Sequence, residues 1–118
     1  MKNDILSRTL ITGAEGLVGS YVDFGIKTDK ETLDVTNFKQ VSEVCKTHKP
    51  MAILHLAVLI GVEPCEKDPV AAYMVNAVGT YHMALAAKEL GAKLVYLSSA
   101  VVFEGKKPHE RIAGKFDK

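Results

Sequence analysis

Residues 9–19, Thr9-Leu10-Ile11-Thr12-Gly13-Ala14-Glu15-Gly16-Leu17-Val18-Gly19, constrain the fold more than any other stretch of this chain. A short apolar strand runs straight into a Gly-x-x-Gly-x-x-Gly turn that opens a helix. Glycine is needed where a Cβ would block the turn, an approaching phosphate or close helix–strand contact. The N–H groups of such a turn can approach a pyrophosphate, and a helix N-terminus behind it favours negative charge.

The remaining elements follow from periodicity and punctuation. Strand 1 is expected over Thr9–Thr12, with a helix from about Gly16. Asp23, Gly25 and the polar run Lys27-Thr28-Asp29-Lys30-Glu31 interrupt that helix, so it must be abbreviated. Phe24–Thr28 is the candidate second strand. Thr36 or Asn37 can cap a helix over Phe38–Thr47 that turns Val41, Val44 and Cys45 inward. Pro50 ends it. Met51–Leu56 is a continuous apolar run, as in a strand covered on both faces. Asp68 caps the clearest helix, with Pro69 at its first position and Gly91 beyond its end. That helix is apolar almost all round, with Val70, Met74 and Val78 on one stripe and Val75, Leu85 and Leu90 elsewhere. Such a helix packs on two sides, here against its own sheet and another subunit. Lys93–Leu97 is the last strand. Alternating strands and helices specify a parallel sheet with helices on its faces.

Ligands of open α/β sheets bind at the carboxyl ends of the strands. Four segments fall there: the glycine turn, Asp29–Val35, Leu56-Ala57-Val58 and Ser98-Ser99. Their convergence points to a dinucleotide. Composition excludes other classes. The net charge of +1 gives no attraction for nucleic acid or an anionic membrane. The longest apolar run, Ile53–Val62, contains His55 and Gly61 and is too short to span a bilayer. The N-terminus has no apolar signal region. At 118 residues one domain is expected. Cys45 and Cys65 lack metal-type spacing and read as reduced thiols of a cytoplasmic protein.

The sequence resembles the extended short-chain dehydrogenase/reductases, and within them the dTDP-4-dehydrorhamnose reductase group of nucleotide-sugar enzymes. The matching segments are Thr12–Gly19, Leu33-Asp34-Val35-Thr36-Asn37, His55-Leu56-Ala57, Asn76-Ala77-Val78-Gly79-Thr80 and Tyr96–Phe103, with Glu66-Lys67-Asp68-Pro69 before the long helix. The likeness spans residues 5–108. It implies a Rossmann-like parallel sheet with helices on both faces, truncated to about four strands, with a shortened first helix.

The resemblance also implies roles. Gly13, Gly16 and Gly19 would carry the pyrophosphate of NAD or NADP, with Leu17 and Val18 lining the same turn. Asp34 and Val35 would meet the adenine. Asp29 is the acid for the adenine ribose hydroxyls, although Lys27 and Lys30 stand ready for a 2′-phosphate. Leu56 and Ala57 match the wall along the cofactor ribose, and Asn76 lies near the active centre. Ser99, with Ser98 as the adjacent alternative, aligns with the catalytic Ser or Thr that hydrogen-bonds the substrate carbonyl. His55 reads as a strand-end residue satisfied by hydrogen bonds.

Two departures set expectations for activity. The family's general acid, a Tyr in Tyr-x-x-x-Lys, has no counterpart: Tyr21, Tyr73, Tyr81 and Tyr96 are followed four places on by Gly25, Ala77, Leu85 and Ala100. Residues 109–118 do not resemble the family's continuation, and the C-terminal substrate domain is expected to be absent. The isolated chain is therefore expected not to turn over. Val58, Ile60, Glu63 and Pro64 stand where the reductases carry small, polar or basic residues near substrate. The complete enzyme is expected to act on a nucleotide sugar, with self-association through the 69–90 helix. A non-catalytic dinucleotide-binding or interaction module is the competing reading.

Overall fold

The computed structural model describes residues 2–97. Four short strands, β1 (Thr9–Thr12), β2 (Ile26–Lys27), β3 (Ala52–His55) and β4 (Lys93–Tyr96), form one sheet in the order β2-β1-β3-β4. All three pairings are parallel. Leu10 lies between Ile26 and Ile53, and Ile53 between Leu10 and Leu94, so one face carries a continuous apolar row.

Helices α1 (Lys2–Ser7) and α2 (Phe38–His48) precede β1 and β3. Asn37 caps α2, its side chain accepting from Gln40 N–H. Lys49 ends α2 in the left-handed conformation, and Arg8 donates to its carbonyl at 2.7 Å. The short α3 (Val62–Lys67) leads to Asp68, whose carboxylate accepts from Ala71 N–H and caps the next helix. That helix is continuous over α4 (Pro69–Tyr73), a π-helical turn (Met74–Val78) and α5 (Gly79–Leu90), ending on Gly91.

Val41 and Cys45 of α2 and Met83, Ala86 and Ala87 of α5 close over Leu10 and Ile53. The two helices pack against each other on that face. Burial, with the Glu89 carboxylate adding to it, pushes the Cys45 thiol up to about 11; Cys65 is also a free thiol.

The structure departs from the sequence reading in three places. The abbreviated first helix is a single 3-10 turn, Gly19–Tyr21. Helices α1 and α3, six residues each, carry no periodicity long enough to announce them. The π turn changes which residues of the long helix face inward: Val75 and Leu90 pack on the core while Val70 stays 71% exposed. No helix among the described residues is long and apolar enough to cross a membrane.

Candidate functional site

A cavity of about 660 Å3 lies at the carboxyl ends of the strands, within the size range of cofactor sites. Segments following all four strands contribute to its wall, joined by Val75 from the π turn.

The glycine turn forms one side. Gly13 adopts φ +68°, and Gly16 N–H returns to its carbonyl at 3.0 Å. A Cβ on Gly13 would stand 2.7 Å from the backbone of Leu56 and Ala57, and one on Gly19 would stand 2.7 Å from Ala14 Cα. Both glycines are therefore demanded by close backbone approach. Among the described residues, no hydrogen bond takes up the N–H groups of Glu15, Leu17 or Val18, and Gly13, Gly16, Leu17, Val18 and Gly19 all line the cavity. Such a cluster of uncommitted donors forms an anion-binding concavity. The single 3-10 turn behind it is too short to add a helix macrodipole, so attraction for an anion rests on these local N–H groups.

The segment after β2 forms the second side and contributes Asp29, Asp34 and Val35. Asp29 Oδ1 accepts from Glu31 N–H (2.8 Å) and Thr32 N–H (3.0 Å). These bonds, that from Thr32 foremost, hold its carboxyl below the usual range. Asp34 Oδ1 accepts from Thr36 N–H (2.9 Å) and Thr36 Oγ1 (2.6 Å). Leu33 and Val35 are buried on either side of it. Val35 is clamped by α5: its carbonyl accepts from His82 Nδ1 at 2.8 Å, and a Cβ on Gly79 would meet its Cγ2 at 2.7 Å. Ala14 N–H donates to Thr28 O at 3.0 Å, tying the glycine turn to this segment.

The third side is Leu56 and Ala57, held from beneath by a buried relay. Both N–H groups donate to Thr12 Oγ1, at 3.0 and 3.1 Å, with the first shared with Thr12 O. A hydroxyl has two lone pairs and one proton, so Thr12 has its proton left for His55 Nδ1, 2.7 Å away. His55 must then carry its own proton on Nε2 and donate to Thr80 Oγ1 at 3.0 Å. Thr80 in turn donates to Asn76 O at 2.7 Å. Every proton in the chain has one direction. Burial drives the His55 pKa down to about 4, in keeping with this neutral tautomer, and the ring stacks 5.8 Å from Tyr96. His55 is the hydrogen-bonded strand-end residue expected from the sequence.

Asn76 stands behind the wall. Its Oδ1 accepts from Leu59 N–H (2.8 Å) and its Nδ2 donates to Leu59 O (3.0 Å), so one amide pins both sides of that loop residue. The π turn brings the amide there; such turns recur at functional sites. Ser98, Ser99 and residues 109–118 lie outside the described residues. The sequence reading missed Thr12 and Thr80 as wall supports and Glu15 as a lining residue. Their signal lay inside the motifs themselves, Thr12 and Glu15 flanking Gly13-Ala14 and Thr80 closing Asn-x-x-Gly-Thr.

A parallel sheet with a glycine turn and a cavity at its carboxyl edge defines a Rossmann-like α/β domain. Residues 7–113 match the family described as the RmlD substrate binding domain, and the chain belongs to that family. The dTDP-4-dehydrorhamnose reductase of Aggregatibacter actinomycetemcomitans is 32% identical over 111 residues, covering 86% of this chain and 38% of that protein. The solved dTDP-4-dehydrorhamnose reductase of Bacillus anthracis, in complex with NADP, superposes with a TM-score of 0.81 at 36% identity, covering 91% of this chain and 41% of that one. Methionine adenosyltransferase 2 subunit beta of Xenopus laevis is 31% identical over 119 residues, covering 88% of this chain and 36% of that protein. The chain thus spans about two fifths of the length of such relatives.

Proposed function

We propose that this chain is the NAD(P)-binding portion of a nucleotide-sugar oxidoreductase of the dTDP-4-dehydrorhamnose reductase kind, working in the cytoplasm. The observation that carries the reading is the turn at Gly13–Gly19, with three N–H groups uncommitted among the described residues beside a cavity of cofactor size. Gly13, Gly16, Leu17, Val18 and Gly19 would hold the pyrophosphate, Asp34 and Val35 the adenine, and Asp29 the adenine ribose. Leu56 and Ala57 would wall the ribose, and Asn76 would keep the neighbouring loop in place. When bound, the nicotinamide supplies a hydride for a 4-keto sugar. Ser99 would donate a hydrogen bond to that carbonyl.

Titration of the chain with NADH and NADPH, followed by nicotinamide fluorescence, is expected to show saturable binding of at least one; no binding of either overturns the reading. Activity is tested in a chimaera in which residues 7–113 replace the matching segment of a dTDP-4-dehydrorhamnose reductase. Oxidation of NAD(P)H by a dTDP-4-keto sugar is the expected result.

A second reading, a non-catalytic dinucleotide-binding subunit, draws support from the likeness to a protein named as a subunit beta. A chimaera that binds the dinucleotide without turnover favours it. Either reading accommodates pairing of two copies through the long helix. Val70, Tyr73 and Tyr81 on that helix are 71%, 65% and 61% exposed, a stripe that merits a partner surface. Light scattering is expected to show mass rising with concentration, and Tyr73→Glu with Tyr81→Glu to abolish the rise; a monomer at all concentrations removes this part of the proposal.

A further inference from the structure

The peptide that joins Val35 to Thr36 is held at both of its polar ends. Its carbonyl accepts from His82 Nδ1 of α5 at 2.8 Å, so that nitrogen carries a proton, since a carbonyl only accepts. Its N–H, in the same plane and pointing the other way, donates to Asp34 Oδ1 at 2.9 Å. His82 is thus one peptide plane away from the Asp34 carboxylate. The imidazole is itself seated, half-buried and tilted 54° against the Phe38 ring at 5.3 Å, a favourable aromatic geometry. Among the described residues, every other hydrogen bond of residues 33–37 closes within residues 29–41. The bond from His82 spans 47 residues and ties the segment to the long helix. Asp34 Oδ1 is taken up by Thr36 N–H and Oγ1, which leaves Oδ2 without a partner among the described residues. Asp34 lines the cavity.

We infer, building on the dinucleotide reading above, that His82 is a positioning residue for the adenine base. By fixing the Val35–Thr36 peptide it fixes Asp34, whose Oδ2 then accepts from the exocyclic amine of the base. An amine donates and a carboxylate only accepts, so the two are matched. Hypoxanthine carries a carbonyl oxygen at the same place and sets acceptor against acceptor. Discrimination between the bases requires a carboxylate that cannot turn away. Asp34 is exposed, so packing does not immobilise its side chain; the peptide does. Without His82 the carbonyl of buried Val35 loses its donor, a costly state that the peptide relieves by rotating. Thr36 N–H moves with that plane and releases Asp34. His82 is not among the residues of the cavity wall, so it acts on the base only through this peptide.

The test titrates the full chain with NADH and with reduced nicotinamide hypoxanthine dinucleotide, which differs only in the base. NADH is expected to bind at least about tenfold more tightly, since a site built for a donor rejects an analogue that lacks it. His82→Phe keeps a ring against Phe38 and removes the donor. It should weaken NADH by about tenfold and leave the analogue nearly unchanged, so that the preference collapses. His82→Asn places an amide nitrogen where histidine carries Nδ1 and should restore most of the preference. A purely structural role would weaken both dinucleotides alike; an unmoved ratio in His82→Phe overturns the inference and leaves the dinucleotide reading intact. Equal binding of the two by the unaltered chain does the same. Nitrogen-15 spectra of the unaltered chain supply a reading that needs no folded variant. The His82 Nδ1 resonance is expected to shift on addition of AMP and to stay in place with nicotinamide mononucleotide; a resonance that AMP does not move overturns the role of His82. Absence of binding by both dinucleotides overturns this inference and the dinucleotide reading together.

Discussion

Gly13→Ala is expected to cost about 3 kcal/mol of stability and to weaken dinucleotide binding at least about tenfold. Two separate effects add at this position. The backbone sits at φ +68°, where a side chain costs about 1–2 kcal/mol. The new Cβ also stands 2.7 Å from Leu56 C and Ala57 N. Those are backbone atoms at the end of β3, bonded to Thr12, and they cannot rotate away as a side-chain tip could. Overpacking of this kind costs about 1–3 kcal/mol. Relief must come from separating the glycine turn from the β3 wall, the two sides of the cavity. Gly91→Ala is the matched control. Gly91 has nearly the same φ, +65°, yet nothing lies within 4 Å of its added Cβ. It should show the conformational cost alone and bind NADH as the unaltered chain does. Urea denaturation and NADH titration of the two variants measure the difference. If they lose equal stability and retain equal affinity, the close approach of the turn to β3 plays no part in holding the site.

The same contrast shows why much of the fold was legible in the sequence and part of the site was not. Leu10, Ile11 and Ile53 belong to apolar runs whose burial is local information, and Asn37, Asp68 and Gly91 mark helix ends through bonds to residues within one helical turn. The glycine turn belongs to this class as well. By contrast, the bonds that set the wall join Thr12 to His55, His55 to Thr80 and Asn76 to Leu59, across 43, 25 and 17 residues. No periodicity encodes such pairs; they exist only once the strands are in register. The π turn is equally hidden, because it is a choice of hydrogen-bond partner within a segment whose composition is helical throughout. Glu15 lines the cavity beside the bond from Ala14 N–H to Thr28 O, a pairing that no reading of the turn alone supplies. Asp23 and Gly25 predict a short first helix; the structure reduces it to one 3-10 turn, whose Gly19 packs against Gly13 O and Ala14 of the preceding turn.

Acidification should unfold this chain earlier than its carboxylates require, because His55 must gain a proton on unfolding. Its pKa is about 4 in the folded chain and near 6.5 when exposed. Between those values the unfolded state binds more protons, so stability rises with pH. The contribution is complete above about pH 6.5 and drains away as pH falls toward about 4, for a total of about 3 kcal/mol. That is a large share of the 5–15 kcal/mol typical of a domain. The structure explains why folded His55 refuses the proton. His55 is 1% exposed, and a proton on Nδ1 would face Thr12 Oγ1, whose lone pairs already serve Leu56 and Ala57 N–H. Urea midpoints measured from pH 7 to pH 5 should begin to fall near pH 6.5 and approach one proton's slope below about pH 6, before most carboxylates titrate. His55→Gln should be less stable at pH 7 by about 1–3 kcal/mol, through imperfect pairing of buried polar groups, and nearly flat over the same range. NADH affinity should follow the same curve in the unaltered chain, since the relay holds Leu56 and Ala57 in the cavity wall. A profile that stays flat in the unaltered chain, or a slope that survives in His55→Gln, would remove His55 as the group that couples protonation to the integrity of the site.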